Sequence, residues 1–394
     1  MLCSVMRVLI LCEFARLHGA ERSLLSVLDS VSAAGFQPQI AAPPEGPLAT
    51  EIEKRGIELL PLRFPHGSYD PSQTARRRAI RALVRESRPD LVHANSLAMS
   101  RLAGPLLAEM GIGSLGHVRD IMRLSRQAIA DLNCHSRLLA VSEATRDWHV
   151  EQGLDPLRTF VLYNGVDLSA FAPRPTTGSL HDELRLSPDS PLVGTVGQIG
   201  MRKGTDLFID TAARIVADVP RAQFVVFGDR TSEKREAREL EYRLRQRADR
   251  APLAGRCHFL GYRHQMDRWL NELTVLLHPA RQEPLGRVLL EAAASGLAIV
   301  ASCVGGTPEI FPTAARAASL VPSADLDRLE QATVQLLAQR EQRVSLGRAA
   351  RLRAVTAFDQ QQAAAGLIDH YRQVAGRDKR FPPRYAAGGG QPDG

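Results

Sequence analysis

Cysteine is the first thing this chain is short of. Its 394 residues hold five, Cys3, Cys12, Cys134, Cys257 and Cys303, scattered, odd in number and without a C-x-x-C pair. That excludes a disulfide framework and fits buried free thiols in a reducing cytoplasm. Long apolar runs are missing too, none approaching the ~20 residues that span a bilayer. The opening MLCSVMRVLILC has too short an apolar part, and no small-residue cleavage site, for a signal peptide. Aromatic residues make up 5%, and none interleaves the basic residues, so nucleic acid is not an expected partner. No His/Cys cluster has the spacing of a metal site. Asp325-x-Asp327 invites a metal reading, but acids there suit the first turn of a helix capped by Ser323. No metal is expected, and no repeat of 20–50 residues is evident.

What is there is an ordinary globular composition, 44% hydrophobic and 24% charged, on a chain long enough for two cores. The net charge of +7 is mild for this length. It is locally concentrated in RRRAIRALVRESR, Arg76–Arg88, six arginines against one glutamate. At helical spacing Ile80, Leu83 and Val84 form an apolar stripe and leave the arginines to solvent. Such a face is either merely solvated or drawn to an anionic membrane surface or acceptor.

Short apolar runs alternate with amphipathic helical stretches throughout, the pattern of doubly wound α/β domains. In the first half RVLIL, QPQIAAP, PDLVHANS, SLGHVRD and RLLAVSE read as strands. The Pro/Ser/Thr-rich stretch Phe171–Pro191 reads as a linker. PLVGTVGQIG, AQFVVFGD, CHFLGY, VLLHPA and AIVASC then supply a second set. Phe358–Val374 reads as a last helix, and the tail after it has a disordered composition. Two nucleotide-binding-like units would face each other across a cleft, where open α/β sheets take ligands.

Three glycine-bearing turns follow strands. Gly19 opens a helix and would let a phosphate approach backbone N–H groups. Gly197 and Gly200 bend the chain before Arg202, Lys203 and Gly204, two cations at a strand–helix turn. The third turn, in RQEPLGRVLLEAAASG, carries Glu283 and Glu291 on either side of Gly286. Eight helical steps would leave the two acids about 80° apart, so Glu283 reads better in a loop and Glu291 in a helix starting near Gly286. The N–H groups of Gly286, Arg287 and Val288 would then join Lys203 and Arg202 around a diphosphate, with no metal. Glu291 suits the two hydroxyls of a ribose. Glu283 suits sugar hydroxyls, or positive charge developing at an anomeric carbon.

E-P-L-G-R-V-L-L-E-A resembles the E-x7-E signature of glycosyltransferase family 4, the retaining GT-B enzymes that use nucleotide-sugars. The surroundings agree over nearly the whole chain: GAERSLL, RPDLVHANS, AVSEATRD, VLYNGVDLSAF, VGQIGMRKGTDLFIDTA, GGTPEI and LIDHYRQV resemble family segments in their order. The resemblance implies a GT-B fold. Residues 1–172 would form an acceptor-binding Rossmann-like domain, 173–191 a linker and 192–355 a nucleotide-sugar domain. Residues 356–376 would be a helix crossing back to the first domain, and 377–394 a disordered tail.

It also implies roles. Lys203 would neutralise the leaving diphosphate, Glu283 would face the donor sugar and Glu291 would hold the ribose. Gly286, Arg287 and Val288 would offer backbone donors, and Gly19 would approach the phosphate from the other domain. His117, or Arg119 in its stead, stands where the family has a histidine near the sugar. Two departures accompany these. His18 replaces the first of two glycines, and Gln198 stands where an arginine follows the clamp-strand glycine, with Arg202 as the compensating charge. The implied activity is retaining, metal-independent transfer to a sugar, lipid-linked or small-molecule acceptor hydroxyl, in cell-surface polysaccharide, glycolipid or glycoside assembly. The protein would be cytoplasmic or peripheral on the inner face of the membrane. The alternatives are a GT-B nucleotide-sugar 2-epimerase and a non-catalytic nucleotide-sugar-binding homologue.

Overall fold

The computed structural model describes residues 6–64 and 73–377. Cys3, and the tail read as disordered beyond residue 377, lie outside the described residues. Contacts divide the chain into two compact units. The first contains residues up to 141, 145–162 and those from 364 on; the second contains 142–144 and 163–363.

The first unit holds seven strands: β1 (Met6–Leu11), β2 (Phe36–Ala42), β3 (Glu58–Pro61), β4 (Leu91–Ala94), β5 (Ser114–Val118), β6 (Arg137–Ala140) and β7 (Thr159–Val161). They pair in the order β3-β2-β1-β4-β5-β6-β7, every pairing parallel. The second unit holds β8 (Leu192–Val196), β9 (Gln223–Phe227), β10 (Cys257–Gly261), β11 (Val275–His278), β12 (Ile299–Ser302) and β13 (Ser319–Val321). Its order is β10-β9-β8-β11-β12-β13, again parallel.

Parallel sheets are covered by helices on both faces, so their central strands are apolar throughout instead of alternating. β1 shows this: Val8, Leu9, Ile10 and Leu11 are all fully buried. In each sheet the first strand lies between the second and the fourth, at β1/β4 and at β8/β11. The order reverses there, and the carboxyl ends of the strands open a crevice. Leu9, Val92, Leu106 and Leu107 belong to one core; Val193, Phe208, Phe224 and Leu277 belong to the other.

Helix Gln73–Ser87 buries Ile80 and Val84 as its stripe requires, but its arginines are not all left to solvent. Arg77 lies 3.6 Å from the Asp131 carboxylate and Arg81 lies 2.7 Å from Glu109, while Arg78 and Arg85, and Arg88 just past the helix, are exposed. Within the stretch read as a linker, Ser179–Leu184 is helical. The cap of helix Leu326–Ala338 is Asp325, which accepts from the Arg328 N–H at 3.0 Å; Ser323 is not the cap. Asp327 pairs with Arg214, so both acids of the Asp325-x-Asp327 spacing have structural partners. No group of three or more His, Cys, Asp or Glu among the described residues could hold a metal ion. No helix among them is long and apolar enough to cross a membrane.

The last helix, Gln360–Arg377, contributes to the first unit from residue 364 on. Tyr371 is fully buried there and Val374 nearly so.

Candidate functional site

The site residues foreseen in the sequence fall into two groups, one on each unit. In the second unit the crevice ends of β8 and β11 carry the two glycine-bearing turns. After β8 the chain passes Gly197, the half-buried Gln198 and Gly200 into a single turn, Met201–Lys203. Gly204 follows at φ +68°, and a Cβ there would lie 1.9 Å from the Pro279 carbonyl oxygen. Only glycine allows that approach, and it brings the Lys203 turn against the loop after β11.

Arg281 locks the two together. Its guanidinium donates to both oxygens of Asp206 at 2.7 Å and to the Met201 carbonyl at 3.0 Å. Its own N–H donates to the Arg202 carbonyl at 2.9 Å. A planar fork on a carboxylate fixes orientation as well as distance.

The result is a buried ionic centre. The Lys203 ammonium donates to Glu283 Oε2, and His278, the last residue of β11, places Nε2 2.8 Å from the same oxygen. Glu283 is 4% exposed. Burial opposes its ionisation, but the Lys203 charge and the His278 hydrogen bond outweigh that and hold the carboxyl well below the usual carboxylate range. His278 is pushed down by burial and by the nearby Lys203 and Arg202 charges. A carboxylate only accepts, so neutral His278 carries its proton on Nε2. His278 was not among the residues singled out from the sequence, although a histidine closing the apolar run VLLH was the available signal.

Beside this centre, helix Arg287–Ala294 begins after Gly286, whose φ is +103°. A Cβ at Gly286 would lie 3.1 Å from Glu283 Cγ and 2.8 Å from Leu289 Cδ1. The helix tip and the Lys203–Glu283 pair therefore share one place. The first N–H groups of a helix have no acceptor within it and carry the positive end of its dipole. One turn in, Glu291 Oε1 accepts from Arg287 Nη2 at 2.8 Å, which fixes the carboxylate. The arrangement can hold an anion against an ammonium and a helix tip, with a carboxyl group on either side to meet hydroxyls.

In the first unit Gly19 is the first residue of helix Gly19–Ala33. His18 caps it through its backbone, its N–H donating to Glu21 Oε2 at 3.2 Å, while its ring meets Phe14 edge-on. At the ends of β4 and β5 lies a polar chain. Asn95 Nδ2 donates to the Ala20 carbonyl at 3.3 Å. Arg119 donates from Nε to the Asn95 carbonyl at 3.1 Å and from Nη2 to Asn95 Oδ1 at 2.9 Å. His117 Nδ1 stands 3.2 Å from Arg119 Nη2 and 2.7 Å from His93 Nε2. Tyr371 Oη is 2.7 Å from His93 Nδ1. His117 and Arg119 thus both take part, in different capacities. His93, Asn95 and Tyr371 were missed as site residues, although two polar residues in LVHAN, a fully buried strand end, were a visible signal. A cavity of ≈150 Å³ in this unit is lined by Glu13, Phe64, Arg76, Met99 and Arg101, among others.

Comparison with known proteins agrees on both halves. Residues 17–170 match the family described as Glycosyltransferase Family 4, and residues 190–339 match Glycosyl transferases group 1. The lipopolysaccharide core biosynthesis mannosyltransferase LpsB of Rhizobium meliloti (strain 1021) is 31% identical over 172 residues, 44% of this chain and 48% of that protein. The chain thus matches about half the length of that relative. A GDP-mannose-dependent alpha-mannosyltransferase of Mycobacterium tuberculosis (strain CDC 1551 / Oshkosh) is 28% identical over 400 residues, 95% of this chain and 98% of the relative. Among solved structures, Anabaena Alr3699/HepE in complex with UDP and glucose superposes with a TM-score of 0.81 at 20% identity, over 93% of this chain and 99% of that one. At that identity the likeness is one of fold.

Proposed function

The chain belongs to glycosyltransferase family 4, and we propose that it moves a sugar from a nucleoside-diphosphate donor to an acceptor hydroxyl, with retention at the anomeric carbon. The observation that carries this reading is the Lys203–Glu283 pair set against the tip of helix Arg287–Ala294. Transfer from such a donor requires negative charge to be dispersed on a departing diphosphate while an oxocarbenium-like carbon forms. Lys203 has three donors, so it can keep its bond to Glu283 and still reach a phosphate oxygen. The N–H groups of Gly286, Arg287 and Val288 add fixed dipoles, and Arg202 adds a second cation. Glu291, held by Arg287, accepts from the ribose hydroxyls, and Gln198 lies along the same nucleotide-binding turn.

In this reading Glu283 faces the sugar as a fixed carboxylate, its Oε2 shared by Lys203 and His278, and no covalent intermediate is invoked. The acceptor attacks the face the diphosphate leaves, and the departing phosphate oxygen takes its proton. The charge on the leaving group is assigned to this chain's own cations, which makes the reaction independent of a metal ion. Gly19, His117 and Arg119 belong to the first unit, which would receive the acceptor; the second unit would receive the donor. The exposed Arg78, Arg85 and Arg88 suit a lipid-linked acceptor at the inner face of a membrane. One relative's name gives GDP-mannose as its donor, which supports a nucleoside-diphosphate sugar here without fixing the base.

A thermal-shift series with UDP-, GDP-, ADP- and TDP-sugars tests the proposal, followed by product analysis of the best binder with and without sugar acceptors. Stabilisation by one nucleotide class, and an axial product from an axial donor, are expected. Turnover of the donor to an epimer without any acceptor would replace the reading, as would nucleotide binding with neither transfer nor hydrolysis.

A further inference from the structure

The polar chain in the first unit has a direction, and Arg119 sets it. A guanidinium has only donors, so Arg119 Nη2, 3.2 Å from His117 Nδ1, meets a lone pair there. Burial, with the Arg119 charge opposing protonation, holds His117 well below the ordinary imidazole range. The ring is therefore neutral, with its proton on Nε2. His93 Nε2, 2.7 Å from that lone pair, must then be the N–H, which leaves His93 Nδ1 to accept. The hydroxyl of Tyr371, 2.7 Å from His93 Nδ1, is the donor that completes the order: Tyr371 to His93 to His117.

The Arg119 contact is the weaker lock. It is the longer of the two at His117, and its Nη2 also donates to Asn95 Oδ1 at 2.9 Å. The short, fully buried arm is the one that runs back to Tyr371. His117 Nε2 has no hydrogen-bond partner among the described residues, so the chain ends in an N–H donor available to a ligand.

We propose that Tyr371 is a positioning residue: through His93 it holds His117 in the tautomer that offers an Nε2–H to an oxygen of a sugar ligand at the crevice end of β5. The ligand assignment rests on the sugar-transfer reading above; the tautomer assignment does not. Reversal of the chain would turn the His117 tip from a donor into an acceptor and leave the Tyr371 hydroxyl in need of another buried acceptor. A buried polar network with one satisfied direction is worth more than its pairwise bonds.

Nitrogen-15 NMR of histidine-labelled full-length protein, without ligand, reads the tautomers directly. Both His93 and His117 are expected as Nε2–H in the wild type; Nδ1–H at either overturns the proposal, and this arm needs no variant. In Tyr371→Phe, which removes one hydroxyl, His117 is expected to become a mixture of tautomers. A pure Nε2–H form in the folded variant would show that Arg119 suffices, and would also overturn the proposal. With a donor identified, Tyr371→Phe is expected to lower kcat/KM about five- to tenfold, the worth of one hydrogen bond, and to have no further effect in a His117→Gln background. An equal loss in both backgrounds would make the tyrosine structural only. Failure of every donor to be turned over would sink the sugar-transfer reading while leaving the NMR result to decide the tautomer relay.

Discussion

Arg281 and Asp206 face each other through two parallel hydrogen bonds, both 2.7 Å long. The pair staples the Lys203 turn to the loop that carries Glu283, so the distance between the reactive ammonium and its carboxylate is set from outside the site. Lysine at 281 would keep the charge but lose the fork. Arg281→Lys is expected to cost about 1 kcal/mol of stability, as befits a half-exposed pair. It should weaken nucleotide binding more than it lowers the melting temperature. Calorimetric titration beside a thermal melt checks this, and a change confined to the melt would deny the staple its functional part.

Lys203→Ala should lower kcat by about 10²–10³-fold, the loss seen when one charge-stabilising donor is removed, with the fold retained. The variant also leaves buried Glu283 without its cation, so its carboxyl rises from its depressed value. In the wild type Glu283 stays ionised as the pH falls through the ordinary carboxylate range near ~4.3. In Lys203→Ala the acid limb of the rate profile should move to higher pH. Rates measured from about pH 4 to about pH 8, which brackets the ordinary carboxylate range, test both statements. An unmoved acid limb would mean that another group controls it.

Gly204 and Gly111 share φ +68°, but only Gly204 is crowded, by the Pro279 carbonyl, while a Cβ at Gly111 meets nothing within 4 Å. Gly111→Ala should therefore cost about 1 kcal/mol, the strain of the left-handed region alone. Gly204→Ala should cost at least ~2 kcal/mol more, because backbone must move, and should displace Lys203. Chemical denaturation of the two variants isolates the clash from the strain; equal losses would contradict the close approach.

Buried histidines make the first unit acid-sensitive. Burial lowers His93 to about 3 and His135 to about 4, against roughly 6.5 in the unfolded chain. Between those limits the unfolded state binds more protons than the folded one, so stability rises with pH. The contribution is fully present above about pH 6.5 and is lost as the pH falls toward the folded values. The melting temperature should be several degrees lower at about pH 5 than at about pH 7.5, with the reverse sign excluded.

Most of the architecture is legible in the order of the residues. Ten of the strands announce themselves as apolar runs between turn residues, because a parallel strand buried on both faces needs nothing else. β3, β7 and β13 do not: Glu58–Pro61, Thr159–Val161 and Ser319–Val321 are short and mostly half-exposed, and take their pairing from a neighbour already in place. At the candidate site, local spacing singled out Lys203, Glu283, Gly286 and Glu291, which the fold brings onto neighbouring turns. Lys203 stands out further because Lys54, Lys203, Lys234 and Lys379 are the chain's only lysines amid many arginines. His278, and the His93 and Tyr371 that stand behind His117, were harder. Their meaning lies in contacts between residues far apart in sequence, with His93 and Tyr371 separated by 278 positions, and no local pattern encodes such a pairing. The same holds for the arginine-rich helix, where Asp131 and Glu109 engage two of the charges.

Tyr371 and Val374 are 0% and 1% exposed within the unit that begins at β1. A ribosome therefore makes the whole of 163–363, which belongs to the second unit, before that first unit can be finished. Until then His93 lacks its hydroxyl donor, and the groove beside Gly113, where Val374 Cγ1 sits within 2.8 Å of where a Cβ would be, stays open to water. Completion of the first unit is thus deferred until the second has been made, and nascent chains stalled before residue 371 would carry an unsealed core in the first unit.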